Sequence, residues 1–372
     1  MTLKLAHISD VHLGAKFSYL GDKAEEHRNN LKNTMRLCVD KAIENEVDLF
    51  IVAGDIFDQP FPSKLNQLFV LEQIKRLIAQ NIYVAIISGN HDRNELGSVF
   101  NHSPITQFRD VKFRLFNNEK QEAWLIGELA TCIVASGCQR QKSKNSPYQR
   151  LVRDERAKFN VGIFHGSADV RNQPDNYPIY LKDLYASKFD YIALGDWHNQ
   201  LDLSREVPIM YSGSPEIVDS DQDKAGYMIV ATLVEGQKAK LESVRVGSRS
   251  ILAMQIDLTQ LKSLQGVLEF FKTKSDKSAI LNLKLTGFRN IDSDIHREDL
   301  LNGLSELFYH VNIADETKFV ISEKEMMNYS DSMVIGRYIK LLQDQKTADV
   351  PWNRLVDEAM QLGVHLLKGG RL

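Results

Sequence analysis

Five short apolar runs in this chain each end in Asp, Asn or His, and that repetition constrains the fold more than any other feature. Leu3 to Ile8 leads into Ser9-Asp10-Val11-His12, and Asp48 to Ala53 into Gly54-Asp55-Ile56-Phe57-Asp58. Ile82 to Ile87 leads to Gly89-Asn90-His91-Asp92, Val161 to Phe164 into His165-Gly166, and Tyr191 to Leu194 into Gly195-Asp196-Trp197-His198. Short apolar runs bounded by polar residues and glycine read as buried strands. In α/β sheets, ligand sites gather outside the carboxyl ends of the strands. A lone Asp-x-His or Gly-Asp is usually a turn. Gly-Asn-His-Asp after a strand is more specific, and all five together form a constellation.

Amphipathic helices separate the first three runs. Glu25 to Glu46 places Leu31, Met35, Cys38, Val39, Ala42 and Ile43 on one face, and Leu65 to Gln80 does the same with Leu68, Phe69, Ile74, Leu77 and Ile78. Strand-helix-strand-helix-strand predicts an α/β layered core. After Val111, strands are expected at 113–116, 123–126, 132–136, 161–164, 191–194, 208–211, 227–233 and 240–246. That many strands with few helices implies two packed sheets, in an order the pattern leaves open. Composition shifts at Gly247-Ser248-Arg249-Ser250, so a first domain is placed at 1–247. A small α+β domain follows at 248–325, with strands at 252–258 and 280–286 around a helix at 261–272. A helical tail at 326–372 divides near Thr347 to Pro351, and its second helix carries an apolar stripe from Leu355 to Leu366.

A chain of 372 residues buries a core without disulfide help. Its formal charge of −3 excludes nucleic-acid binding by bulk positive charge, so any DNA contact must come from a local patch. Cys38, Cys132 and Cys138 show no CxxC spacing and are expected as reduced thiols in a cytoplasmic protein. The start, Met1 to Asp10, leaves no room for a signal-peptide core, and no apolar run is long enough to span a membrane.

The residue types indicate chemistry. Asp10, His12, Asp55, Asn90, His165 and His198 offer carboxylate, imidazole and amide donors without thiolates, which suits catalytic manganese, iron or zinc rather than a structural zinc. Two divalent ions ~3.5–4 Å apart clamp a phosphate and activate a water. Ions that close need a shared carboxylate, and Asp55 is the natural bridge.

These motifs resemble those of the calcineurin-like metallophosphoesterases, and Ser9 to Gly14 with Val52 to Asp58 resemble more narrowly the DNA-repair nucleases of the SbcD, Mre-eleven and YhaO type. Tyr211-Ser212-Gly213-Ser214-Pro215-Glu216 is similar to the segment that closes the catalytic domain in that group. The resemblance implies a four-layer α/β/β/α sandwich, a capping domain that contacts DNA, and C-terminal helices that dock on an SMC-like ATPase. It implies one metal held by Asp10, His12, Asp55 and His198 and another by Asp55, Asn90, His165 and Asp196. His91 would act on the scissile phosphate, with Asp92 orienting it. The family has His at the position of Asp196. A carboxylate there hardens the site toward manganese or magnesium. The implied activity is a DNA exo- or endonuclease, working as a homodimer. A phosphatase or small-molecule phosphodiesterase uses the same core, and a silent scaffold subunit is the alternative that Asp196 raises.

Other residues carry less. Arg140, Lys142, Lys144, Arg150, Arg153, Arg156 and Lys158 form a basic stretch that reads either as a solvated face or as a track for a DNA backbone. Trp197 reads as a wedge against the core or as a stacking surface for a base. His7, His27, His102, His296, His310 and His365 belong to no ligand pattern.

Overall fold

The computed structural model describes every residue except 171–173, 262, 291–293, 321–325, 327 and 369–372. It divides into two compact units, Met1–Ser250 and Ile251–Leu372.

In the first unit, β2 (Leu49–Ala53) and β3 (Tyr83–Ile87) are buried at every residue, as expected for parallel strands covered on both faces. They pair in parallel with β1 (Thr2–Ile8) and β4 (Phe113–Phe116). A second sheet contains β5 (Glu122–Ile126), β6 (Thr131–Ala135), β7 (Phe159–His165), β8 (Tyr191–Gly195), β9 (Leu201–Asp202) and β10 (Ile209–Tyr211), in the order β5-β6-β7-β8-β10-β9. Antiparallel strands β11 (Tyr227–Val234) and β12 (Lys240–Arg245) complete the first sheet, whose order is β12-β11-β1-β2-β3-β4.

Alternate residues point to the same face of a strand. Leu3, Leu5, Leu49, Ile51, Ala53, Ala85 and Ile87 accordingly meet Ile133, Ala135, Val161, Ile163, Tyr191 and Ala193 in one core between the sheets. Helices α1 (Ala24–Glu44) and α2 (Lys64–Ala79) pack on β1 and β3. Ser63 caps α2 by accepting the Asn66 N–H at 3.3 Å. The mixed α/β sandwich matches the expected class. Its outermost layer is thin: besides the four-residue α3 (Pro104–Gln107) elsewhere, the far side of the second sheet carries the six-residue α4 (Leu181–Ala186) and loops that supply Tyr148, Leu151 and Ile179 to a second core.

The two sheets are also joined by a polar contact. His7 of β1 meets the Tyr191 hydroxyl of β8 at 3.0 Å through Nδ1, with both side chains fully buried. Burial lowers the His7 pKa to about 3. Between the ordinary value of 6.5 and that figure, the unfolded chain binds a proton that the folded chain refuses. The His7 contribution is therefore complete above pH 6.5 and falls by about 1.4 kcal/mol per pH unit below it. The His7→Gln variant should show a shallower loss of denaturant stability between pH 6.5 and 4 than the parent. Equal slopes would contradict this role for His7.

In the second unit, β13 (Ser250–Asp257), β14 (Asp276–Thr286) and β16 (Phe308–Asp315) form a three-stranded sheet, and β15 (Phe288–Asn290) pairs with β17 (Lys318–Val320). Helices α5 (Leu264–Lys272) and α6 (Arg297–Ser305) cover the sheet through Val267, Phe271, Leu300 and Leu304. The boundary expected between residues 325 and 326 adjoins 321–325, which lie outside the described residues. Helices α7 (Val334–Gln343) and α8 (Val350–Leu367) pack through Ile339, Met360 and Val364. The apolar stripe of α8 is thus split: Val356 and Met360 are buried, while Leu355, Leu362 and Leu366 are exposed.

Candidate metal centre

The parallel strands of both sheets bring their carboxyl ends to one place. Four of the side chains presented there stand on left-handed backbone: Asp10 (φ 55°), His12 (φ 51°), Asp55 (φ 50°) and Asp196 (φ 97°). Such strain gathers at functional sites and is held by its surroundings. The Asp10 and His12 N–H groups donate to the Gly54 and Asp55 carbonyls at 3.1 and 3.0 Å, which locks the β1 and β2 loops together. Gly54 (φ +92°) can bear no side chain, since a Cβ would lie 2.3 Å from His165 Nδ1.

The donor atoms converge. His12 Nε2 lies 3.1 Å from His198 Nε2 and 3.8 Å from Asp55 Oδ2. His165 Nε2 lies 2.8 Å from Asn90 Oδ1, 3.2 Å from Asp55 Oδ2 and 3.8 Å from Asp196 Oδ1. Atoms bound to one ion at ~2.0–2.2 Å stand about this far apart. Two triads, Asp10-His12-His198 and Asp10-Asp55-His165, each fall within 4.8 Å, and Asp55 also closes on His12 and His91. Both Asp10 and Asp55 therefore stand between two donor groups.

Each imidazole is oriented from behind. His165 donates Nδ1–H to the Ala53 carbonyl at 2.8 Å, leaving Nε2 for the centre. His12 turns Nδ1 toward Asp58 Oδ1 at 3.3 Å, and the Gln222 amide meets His198 Nδ1 at 2.6 Å. Asp10 is held by the Ser9 hydroxyl, which also meets Ser212 at 2.8 Å. Gln222 carries no signal in the sequence, Asp58 and Ser212 stand inside motifs without a role assigned to them, and the fold reveals the work of all three. Partners of this kind fix ring orientation, and their loss costs 10–100-fold in metal affinity. An Asp58→Ala variant is expected to bind Mn(II) weaker by about that factor in calorimetric titration. Unchanged affinity would remove Asp58 from the site.

His91 and Asp92 stand differently. His91 is exposed; its N–H donates to Asp55 Oδ1 at 2.8 Å and its Nδ1 faces the Asp58 carbonyl at 3.2 Å. Asp92 is fully buried and accepts the Gly89 and Phe57 N–H groups at 2.7 and 3.0 Å, bracing the two loops that carry Asn90 and Asp55. Among the described residues no hydrogen bond joins the Asp92 and His91 side chains. The basic stretch lies outside the centre: Arg140, Lys142, Lys144 and Arg150 are exposed, whereas Arg153 pairs with Asp190 at 3.0 Å.

Burial pushes Asp196 up to about 6, against the pull of His165, and burial with the Asp55 charge takes Asp92 to about 7. Burial works against charge on Asp55 and His165 too, but each holds the other ionised, Asp55 below and His165 well above the ordinary value. Among the described residues no Lys or Arg forms an ion pair with Asp10, Asp55, Asp92 or Asp196. Crowded buried carboxylates require compensating positive charge. Divalent cations among these oxygen and imidazole donors would supply it, and the residues fit such ions.

Carboxylate, amide and imidazole donors converging at the carboxyl ends of strands from two packed sheets define a candidate centre for divalent metal ions. Residues 3–200 match the family model of the calcineurin-like phosphoesterases, and the chain belongs to that family. It is 30% identical over 241 residues to the uncharacterized metallophosphoesterase YhaO of Bacillus subtilis, covering 62% of this chain and 58% of that protein. It is 27% identical over 346 residues to the DNA double-strand break repair protein Mre11 of Sulfolobus acidocaldarius, covering 87% of this chain and 85% of the relative. The Mre11 protein of Sulfurisphaera tokodaii is 24% identical over 309 residues, 80% of this chain and 76% of its own length.

Proposed function

We propose that the chain is a DNA nuclease subunit that works with an SMC-like ATPase in repair or defence. One observation carries this reading. The similarity to a DNA double-strand break repair protein covers 87% of the chain, more than Met1–Ser250 can contain, so it continues into the second unit. A phosphatase acting on small molecules has no need of that added unit.

In this reading Asp10, His12, Asp55 and His198 hold one divalent ion, and Asp55, Asn90, His165 and Asp196 hold the other. Manganese is the favoured metal, with magnesium the alternative. Bound there, such ions polarise a phosphate and lower the pKa of a water. The protein's own groups do the rest. Ala53, Asp58 and Gln222 aim the imidazoles. His91, whose Nδ1 is directed at Asp58, keeps Nε2 for the leaving oxygen and donates a proton there. Lys142, Lys144 and Arg150 are exposed to track the DNA backbone, while Arg153 is committed to Asp190. The exposed Leu355, Leu362 and Leu366 of α8 suit docking on the ATPase, and exposed Leu65 and Leu68 on α2, with Phe61, suit a homodimer contact. No helix among the described residues is long and apolar enough to cross a membrane, and a cytoplasmic location accords with the proposed role.

The test compares the chain with its His91→Ala variant on linear and nicked DNA and on p-nitrophenyl phosphate, with Mn(II). DNA cleavage is expected from the parent and a loss of about 10²-fold or more from the variant. Equal rates for the two proteins, or turnover of the monoester alone, would overturn the reading.

A further inference from the structure

The loop that carries Asp196 and His198 leaves the residue between them in the open. Trp197 is 49% exposed, so it does not wedge the loop against the core. Its ring lies on a pocket of about 790 Å³ whose wall also includes Asp196. The metal centre and the pocket therefore share a residue: Asp196 Oδ1 lies 3.8 Å from His165 Nε2. Ser167, also on the wall, donates to Asp196 Oδ2 at 3.0 Å and lies 3.1 Å from Asp175 Oδ1 farther along the pocket.

The lining selects its occupant by chemistry. Val170, Leu201 and Tyr211 offer apolar surface. Among the described lining residues Asp175, Asp196 and Asp223 place three carboxylates on the wall against the single cation of Lys224, which disfavours a phosphate beside them. Asn199 spends its Oδ1 on the Lys224 N–H at 2.9 Å and keeps its amide N–H groups as donors. A half-exposed indole, apolar walls and a few polar edges beside a phosphoester centre suit a flat, neutral, hydrogen-bonding ring. The volume falls within the range of ordinary ligand sites.

We infer that this pocket receives the unstacked nucleobase of a nucleotide next to the scissile phosphate, with Trp197 as its stacking surface. The inference rests on the nuclease reading and deepens it. A base held there has left its helix, so the centre acts on a nucleotide that is single-stranded or frayed. Flipping a base costs least where the strand is already unpaired.

The experiment uses two single-stranded oligonucleotides, one complete and one with an abasic residue at the cleavage junction, cut with Mn(II) by the full chain and by its Trp197→Ala and Trp197→Phe variants. Base stacking on an aromatic ring is worth roughly tenfold or more per base. The parent should cut the complete strand at least about tenfold faster in kcat/KM than the abasic one. Trp197→Ala should cut both at one rate, and Trp197→Phe should restore part of the difference. Turnover of the abasic strand reports that each variant is folded and metal-loaded. A parent that cuts both strands equally, or a Trp197→Ala variant that keeps the full preference, overturns the inference while leaving the nuclease reading intact. A parent that cuts linear or nicked duplex but neither single strand overturns the inference alone, and one that cuts no DNA overturns both.

Discussion

Replacing Asp55 with Asn is expected to lower kcat/KM for phosphodiester hydrolysis by about 10³-fold or more and to empty the centre of metal. The substitution keeps the shape of the side chain and removes one charge. In the folded protein that charge faces His165 Nε2 at 3.2 Å and His12 Nε2 at 3.8 Å, one from each donor group. It also accepts the His91 N–H at 2.8 Å, so it sets the loop that carries the proposed proton donor. A residue shared by both groups cannot be lost from one alone. Metal-assisted stabilisation of a phosphoester transition state amounts to several kcal/mol, and each 1.36 kcal/mol is tenfold in rate. The fold should survive, because no cavity forms and a crowd of buried carboxylates loses one member. The check is metal content by mass spectrometry beside kinetics and circular dichroism. Activity within tenfold of the parent, with metal retained, would contradict a bridging Asp55.

The second large effect comes from a residue with no functional group. A Cβ on Gly89 would lie 2.1 Å from Asp55 Oδ1 and 2.5 Å from the Asp55 nitrogen. Gly89→Ala therefore pushes the Asp55 carboxylate aside, or the loop that carries Asn90 moves away from it. A misplacement of ~1 Å costs about 10²-fold in rate, and overpacking a filled interior costs about 1–3 kcal/mol. The prediction is a loss of about 10²-fold or more in hydrolysis from a protein that still folds. Gly127→Ala is the matched control, because a Cβ at Gly127 meets nothing within 4 Å. Should Gly89→Ala behave like Gly127→Ala, the close approach of the two loops would have no part in activity.

The difference between these two residues explains what the sequence could reveal. Asp55, Asn90, His165 and His198 were legible because parallel strands read as continuous apolar runs, so a polar residue at the end of one stands out. Convergence at a shared edge follows from parallel pairing once an α/β core is assumed. Gly89 was legible only as a turn; its closeness to Asp55 is a fact of two loops meeting. Asp58, Gln222 and Ser212 act through long-range contacts with His12, His198 and Ser9; Gln222 leaves no local pattern, and the motifs that contain Asp58 and Ser212 do not show these contacts. The order of strands was hidden because it is set by crossovers rather than by the runs themselves. The helix at Leu181–Ala186 spans six residues, too few for a period to register. The apolar stripe of α8 was legible, but its division into Val356 and Met360 inside and Leu355 and Leu362 outside depends on tertiary packing, with α7 covering Met360.

The central claim is that side chains from five strand ends grip two cations at one place. Anomalous diffraction from a crystal grown with manganese tests it most directly. Two peaks ~3.5–4 Å apart are predicted, with Asp55 within bonding distance of both. One should have Asp10, His12 and His198 around it, the other Asn90 and His165. Peaks elsewhere on the chain, or none at this edge in manganese-saturated crystals, would contradict the account.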